Sequence, residues 1–92
     1  MSMQFLFDVI QERRDRPTTE SYTSSLFAEG LPKIAQKVGE EASEVLVAAL
    51  AQDDQRLIEE VADLTYHTLV LLAERNISLA DVQAELERRH IK

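Results

Sequence analysis

The sequence contains no cysteine, only two glycines and only two prolines. Without cysteine there is neither a disulfide staple nor a thiolate metal site. So little glycine and proline, with few strand-like alternations, points to an all-α chain. No apolar run approaches the length of a membrane span. The opening MSMQFLFDVIQERR lacks a signal peptide's order of basic, apolar and small residues, so a cytoplasmic protein without a membrane partner is expected. Basic residues are also scarce: ten against seventeen acidic ones give a net charge of −7. Such a surface repels phosphate backbones and argues against general nucleic-acid binding. It leaves room for a small phosphorylated ligand wherever a cation or a local basic patch mediates.

What is present reads as one domain, residues 1–92, of helices alone. A chain of this size buries roughly 60–65% of its surface, so oligomerisation is the remaining common route to stability. Phe5, Leu6, Val9 and Ile10 predict a short amphipathic helix that runs into Arg13 and Arg14 and stops before Pro17. TTESYTSS reads as a loop into a short helical piece closed by Gly30. From Pro32 a helix runs to about Gln52, with Gly39 a weak point costing ~1 kcal/mol relative to alanine. Asp53 or Asp54 caps the next helix, which continues to about Arg75, and Asn76 is a left-handed stop. Ser78 and Asp81 form a capping-box start for a last helix. The expected architecture is a bundle of four to five helices built on a hairpin of the two long ones.

GEEASEVL, residues 39 to 46, then raises a difficulty. Glu40, Glu41 and Glu44 lie within a turn of one another, and like charges so spaced destabilise a helix by roughly 0.2–0.5 kcal/mol per pair. At 100° per residue, Lys33, Lys37, Glu40, Glu41 and Glu44 fall on one face. Ile34, Val38, Val45 and Ala49 follow beside it, so the charged stripe borders a buried one. On the second long helix Glu60, Asp63 and His67 share a face within an otherwise apolar run. A helix apolar nearly all round is buried on most sides, which in so short a chain implies a partner subunit.

Each long helix thus offers an acidic pair, Glu41 with Glu44 and Glu60 with Asp63. In an antiparallel hairpin turning near residues 52 to 54, the pairs come to similar heights at ~1.5 Å rise per residue. Four converging carboxylates make a hard oxygen site suited to Mg²⁺, with Mn²⁺ as a substitute. A solvated acidic face with ion pairs such as Lys37 with Glu41 is the simpler alternative, but it explains poorly why Glu60 and Asp63 sit in an apolar run. His67 reads as a hydrogen-bonded neighbour of Asp63 rather than a ligand. Lys33, Lys37, Arg13, Arg14 and Arg16 are the basic concentrations that would suit a polyphosphate near such a site.

These motifs resemble a known family. GEEASEV followed by EEVADLTYHTLVLL is similar to the all-α nucleoside triphosphate pyrophosphatases of the MazG type, whose signature is EExxE followed on the next helix by ExxD. SYTSSLFAEGLPKIAQKVGEEASEV at 21–45, ADLTYHTLVLLAERNISLADV at 62–82 and ELERRH at 85–90 resemble the phosphoribosyl-ATP pyrophosphatases more narrowly. The resemblance implies hydrolysis of phosphoribosyl-ATP between its α and β phosphates, Mg²⁺ dependence and a homo-oligomer, most simply a dimer. It carries the metal-ligand positions onto Glu41, Glu44, Glu60 and Asp63, with Glu40 completing the motif. Glu40 or Glu44 is the candidate proton acceptor. Lys33, Lys37, Arg16 and Tyr22 are candidates for holding the nucleotide substrate. Two alternatives stay open on the residues alone: a housecleaning pyrophosphatase acting on other nucleoside triphosphates, and a non-enzymatic helical dimerisation module.

Overall fold

The computed structural model describes residues 1–91, and its regular elements are five α-helices. Helix α1 spans Met3–Asp15, α2 Tyr22–Glu29, α3 Leu31–Ala51, α4 Asp54–Glu74 and α5 Leu79–His90. Among the described residues there is no strand. The chain is all-α and hairpin-based: α3 and α4 share the most extensive contact, and α1 and α2 pack at their base.

Side chains that satisfy exposed backbone N–H groups set where the helices begin. Ser2, Ser21, Asp53 and Ser78 each accept from the N–H three residues on, and Asp81 returns the bond to complete the capping box at Ser78. The cap at Ser21 changes the expected loop, because Tyr22, Thr23, Ser24 and Ser25 belong to α2. Their β-branched and polar character is outweighed by that cap and by the burial of Ser24 and Leu26. Gly30, at φ +92°, closes α2 and opens α3 at once, a conformation that disfavours any residue with a Cβ. Asn76, at φ 55°, is the left-handed stop after α4. Arg14 reaches across from α1 to donate to the Ala73 carbonyl at 2.6 Å and to Asn76 Oδ1 at 3.1 Å.

The apolar core gathers at the base of the hairpin. Phe7 and Ile10 of α1, Leu26 of α2, Ile34 of α3, Leu69, Val70 and Ala73 of α4 and Leu79 of α5 form one buried cluster. Toward the turn the packing thins. There Leu46, Val47, Leu50, Ile58 and Val61 are exposed, so α4 is not covered on most sides within a single chain.

The buried line on α3 also differs from expectation. It runs through Ile34, Glu41 and Ala48, spaced by seven, while Val38 and Val45 are half-buried and Ala49 is exposed. Glu41 therefore sits in the seam itself rather than on its border. The angular reading placed the burial some tens of degrees too far round, because it followed the larger side chains and passed over a small alanine.

Ile34 is fully buried at the centre of the base cluster. Replacing it with alanine is expected to cost about 2–5 kcal/mol in urea unfolding, whereas Gln83→Ala on exposed α5 should stay within about 0.5 kcal/mol.

Candidate metal and phosphate site

Two glutamates are buried where α3 and α4 face one another. Glu41 is 6% exposed and Glu60 5% exposed. Glu41, Glu60 and Asp63 bring one carboxylate oxygen each within 4.8 Å of the others. Glu44, more exposed, lies against Glu60 and Glu41 and joins them. The antiparallel register thus brings together all four carboxylates named from the sequence.

Each buried carboxylate is half satisfied. Lys37 Nζ lies 3.4 Å from Glu41 Oε1, and Arg56 Nη2 lies 2.6 Å from Glu60 Oε1. Glu41 Oε2 and Glu60 Oε2 are both buried without a protein partner. An orphaned carboxylate oxygen in a low-dielectric seam is costly, and two of them side by side repel. Hard oxygen donors converging in this way fit a divalent cation of the Mg²⁺ or Mn²⁺ kind. Glu41, Glu60, Asp63 and Glu44 are the residues that could hold it.

The crowding is visible in Glu44. Hydrogen bonding to Glu60, then to Glu41, together with their charges, pushes its pKa up to about 7. Glu40 is turned elsewhere: it accepts from Gln36 Nε2 at 2.7 Å and lies 3.5 Å from Lys37. Those contacts hold its carboxyl below the usual range, led by the bond from Gln36. Burial works against the Lys37 ammonium, but the Tyr22 oxygen and the Glu41 and Glu40 carboxylates outweigh it and its pKa is raised.

His67 is buried one turn beyond Asp63. Its Nδ1 is 2.8 Å from the Asp63 backbone carbonyl, which can only accept. In the neutral ring Nδ1 therefore carries the proton, and Nε2 accepts from the Tyr22 hydroxyl at 3.0 Å. With both ring nitrogens engaged, His67 ties α2 to the backbone of Asp63. Thr23 and Tyr66 add a second hydroxyl tie between the same helices.

Of the basic candidates, Lys37 stands at the carboxylates and Lys33 acts on Glu40 from two turns earlier. Arg16 is exposed and paired with Glu12 at 2.7 Å, away from the cluster. Tyr22 keeps about half of its surface exposed, but its hydroxyl is held by His67. Arg56 was missed from sequence. It lines an open depression with Glu44, Val47, Gln52 and Glu60, and its one advance sign was its place one turn before Glu60.

The sequence model of the phosphoribosyl-ATP pyrophosphohydrolase family matches residues 3–90. This chain belongs to that family. Among its relatives, the phosphoribosyl-ATP pyrophosphatase of Listeria welshimeri is 56% identical over 87 residues, covering 95% of this chain and 84% of the relative. The protein of the same name from Clostridium botulinum is 52% identical over 84 residues, or 91% and 76% of the two chains. That from Bacillus thuringiensis is 46% identical over 91 residues, or 99% and 85%.

The raised Glu44 pKa predicts how this carboxylate cleft responds to pH without metal. The folded chain keeps a proton that the unfolded chain releases at its ordinary value of 4.5. The stability this proton confers is full below 4.5 and is lost as pH rises through about 7. Thermal melts in chelator should therefore drop between pH 5 and pH 8, and Glu44→Gln should flatten the drop. Saturating Mn²⁺ should remove most of it in the unsubstituted chain. Parallel melting curves for all three would contradict the cluster.

Proposed function

We infer that this chain hydrolyses phosphoribosyl-ATP to phosphoribosyl-AMP and pyrophosphate, a step of histidine biosynthesis. The observation that carries the activity is the family match over residues 3–90, with relatives of that name at 46–56% identity. The two orphaned oxygens in the seam support a catalytic use of the cleft over a solvated acidic face. The whole chain acts as a single catalytic domain in this reading, in the cytoplasm. The described helices include none long and apolar enough to cross a membrane.

Glu41, Glu44, Glu60 and Asp63 are proposed to hold Mg²⁺, for which Mn²⁺ can substitute. A cation held by these carboxylates would supply charge neutralisation for the phosphates and a more acidic water. The protein's own groups do the rest. Lys37, beside Glu41, and Lys33, one turn away, donate to phosphate oxygens of the substrate and offset the repulsion of a chain at −7. Glu44 is better placed than Glu40 to accept the proton of the attacking water, because it faces the other carboxylates while Glu40 faces Gln36 and Lys37. Through Tyr22, His67 and the Asp63 backbone, α2 is held beside the cleft.

The deciding measurement is pyrophosphate release from phosphoribosyl-ATP, ATP and a panel of dNTPs, with and without Mg²⁺. Release from phosphoribosyl-ATP alone, dependent on metal, is expected. Glu41→Gln and Asp63→Asn should each lower kcat/KM by about a hundredfold or more. Lys37→Ala should raise KM on the order of tenfold. Fast release from dNTPs would transfer the same site to a housecleaning role, and full activity in the carboxylate variants would remove the site.

A homodimer is proposed as the working state. Leu46, Val47, Leu50, Ile58 and Val61 leave an apolar surface around the hairpin tip that a small monomer rarely exposes. Sedimentation at micromolar concentration should give twice the chain mass, and Leu50→Asp with Ile58→Asp should halve it. A wild-type monomer would contradict this assembly.

A further inference from the structure

Arg56 lies one turn before Glu60 on α4, just as Lys37 lies one turn before Glu41 on α3. In both cases the cation holds Oε1 of a buried carboxylate, and in both cases Oε2 of that carboxylate is buried with no partner. A cation followed by glutamate four residues later is the less stabilising orientation on a helix. The Arg56 side chain is 48% exposed and that of Glu60 only 6%, so the pair offsets part of the cost of a buried charge. Pairing therefore accounts for one oxygen of each carboxylate being held, and not for the other being left without a partner in both.

We propose that Arg56 is a positioning residue that fixes the Glu60 carboxylate so that its second oxygen stays turned into the cleft to receive a divalent cation. The proposal rests on the reading of that cleft as a cation site. A buried glutamate side chain has three rotatable bonds, and without a hold on one oxygen it can rotate its charge away from three neighbouring carboxylates. Arg56 prevents this from a fixed base. Its backbone N–H donates to the cap residue Asp53 at 2.9 Å, anchoring the first turn of α4. Its guanidinium is planar and tethered at two points, Nη1 to Glu59 and Nη2 to Glu60. The chain Asp53, Arg56, Glu60 thus transmits the geometry of the hairpin turn to the carboxylate, from the end of the cleft opposite Lys37.

Charge and position make opposite demands on Arg56, which gives a test by sign. If its charge alone mattered, removing a cation beside four carboxylates would tighten the binding of another cation. If it positions Glu60, removing it weakens that binding. Mn²⁺ affinity is to be measured by electron paramagnetic resonance on the unsubstituted chain, Arg56→Met and Arg56→Lys, with circular dichroism showing each to be folded. The expected result is about tenfold weaker Mn²⁺ binding for Arg56→Met, in the range typical of groups that orient metal ligands, and partial recovery in Arg56→Lys. Equal or tighter binding by Arg56→Met, with the unsubstituted chain binding normally, overturns the role of Arg56 and leaves the cation site standing. An unsubstituted chain that binds no Mn²⁺ overturns the cation site and this inference together.

Discussion

Two carboxylates occupy the seam between α3 and α4, where a helical hairpin would ordinarily place leucine or alanine. Glu41 falls between Ile34 and Ala48 on the buried line of α3, and Glu60 lies one heptad before His67 on that of α4. Everything else in the molecule accommodates that choice. An uncompensated charge in such a seam is among the more destabilising features a small domain can carry, and replacing it with a well-packed apolar residue is often neutral or better for stability. Keeping it makes sense as a cost borne for chemistry.

The fold separates that cost from the source of its stability. The apolar cluster of α1, α2, α4 and α5 sits at the base of the hairpin, with Ile34 at its centre. The acidic cleft lies farther along, and beyond it the exposed leucines and isoleucine surround the turn. Two cations of the same chain, Lys37 on one side and Arg56 on the other, each quench half of one buried carboxylate and leave the other half free. A strongly acidic protein can in this way serve an anionic substrate, because the local balance at the cleft is set by these cations rather than by the net charge.

Much of this was legible in the residues. Serine and aspartate caps, the glycine before Pro32 and the asparagine after α4 mark helix limits by mechanisms that act within a few residues, and such signals survive without tertiary information. The paired carboxylates were legible for the same reason: spacing of three on a helix fixes a shared face, and a tight turn fixes the register. The start of α2 was not, because its local preferences oppose a helix and only the cap at Ser21 with burial of Ser24 and Leu26 reverses them. The depth of Glu41 was hidden by Ala48, whose small side chain gives a weak hydrophobic signal although it marks the centre of the seam. Arg56 looked like any surface arginine, since nothing in a sequence tells which carboxylate oxygen a guanidinium will hold. The metal identity and the assembly depend on partners that lie outside the chain.

The ties around α2 have a mechanical consequence. Gly30 joins α2 directly to α3 with no linker, and Tyr22 and Thr23 fasten α2 to His67 and Tyr66 of α4. With the turn at residues 52 and 53 joining the far ends, the two arms of the hairpin are bound at both ends, tightly packed at one and bare at the other. Spreading of the arms is opposed by these ties at the α2 end and by the short covalent turn at the other, so the spacing of the four carboxylates between them is clamped from both sides.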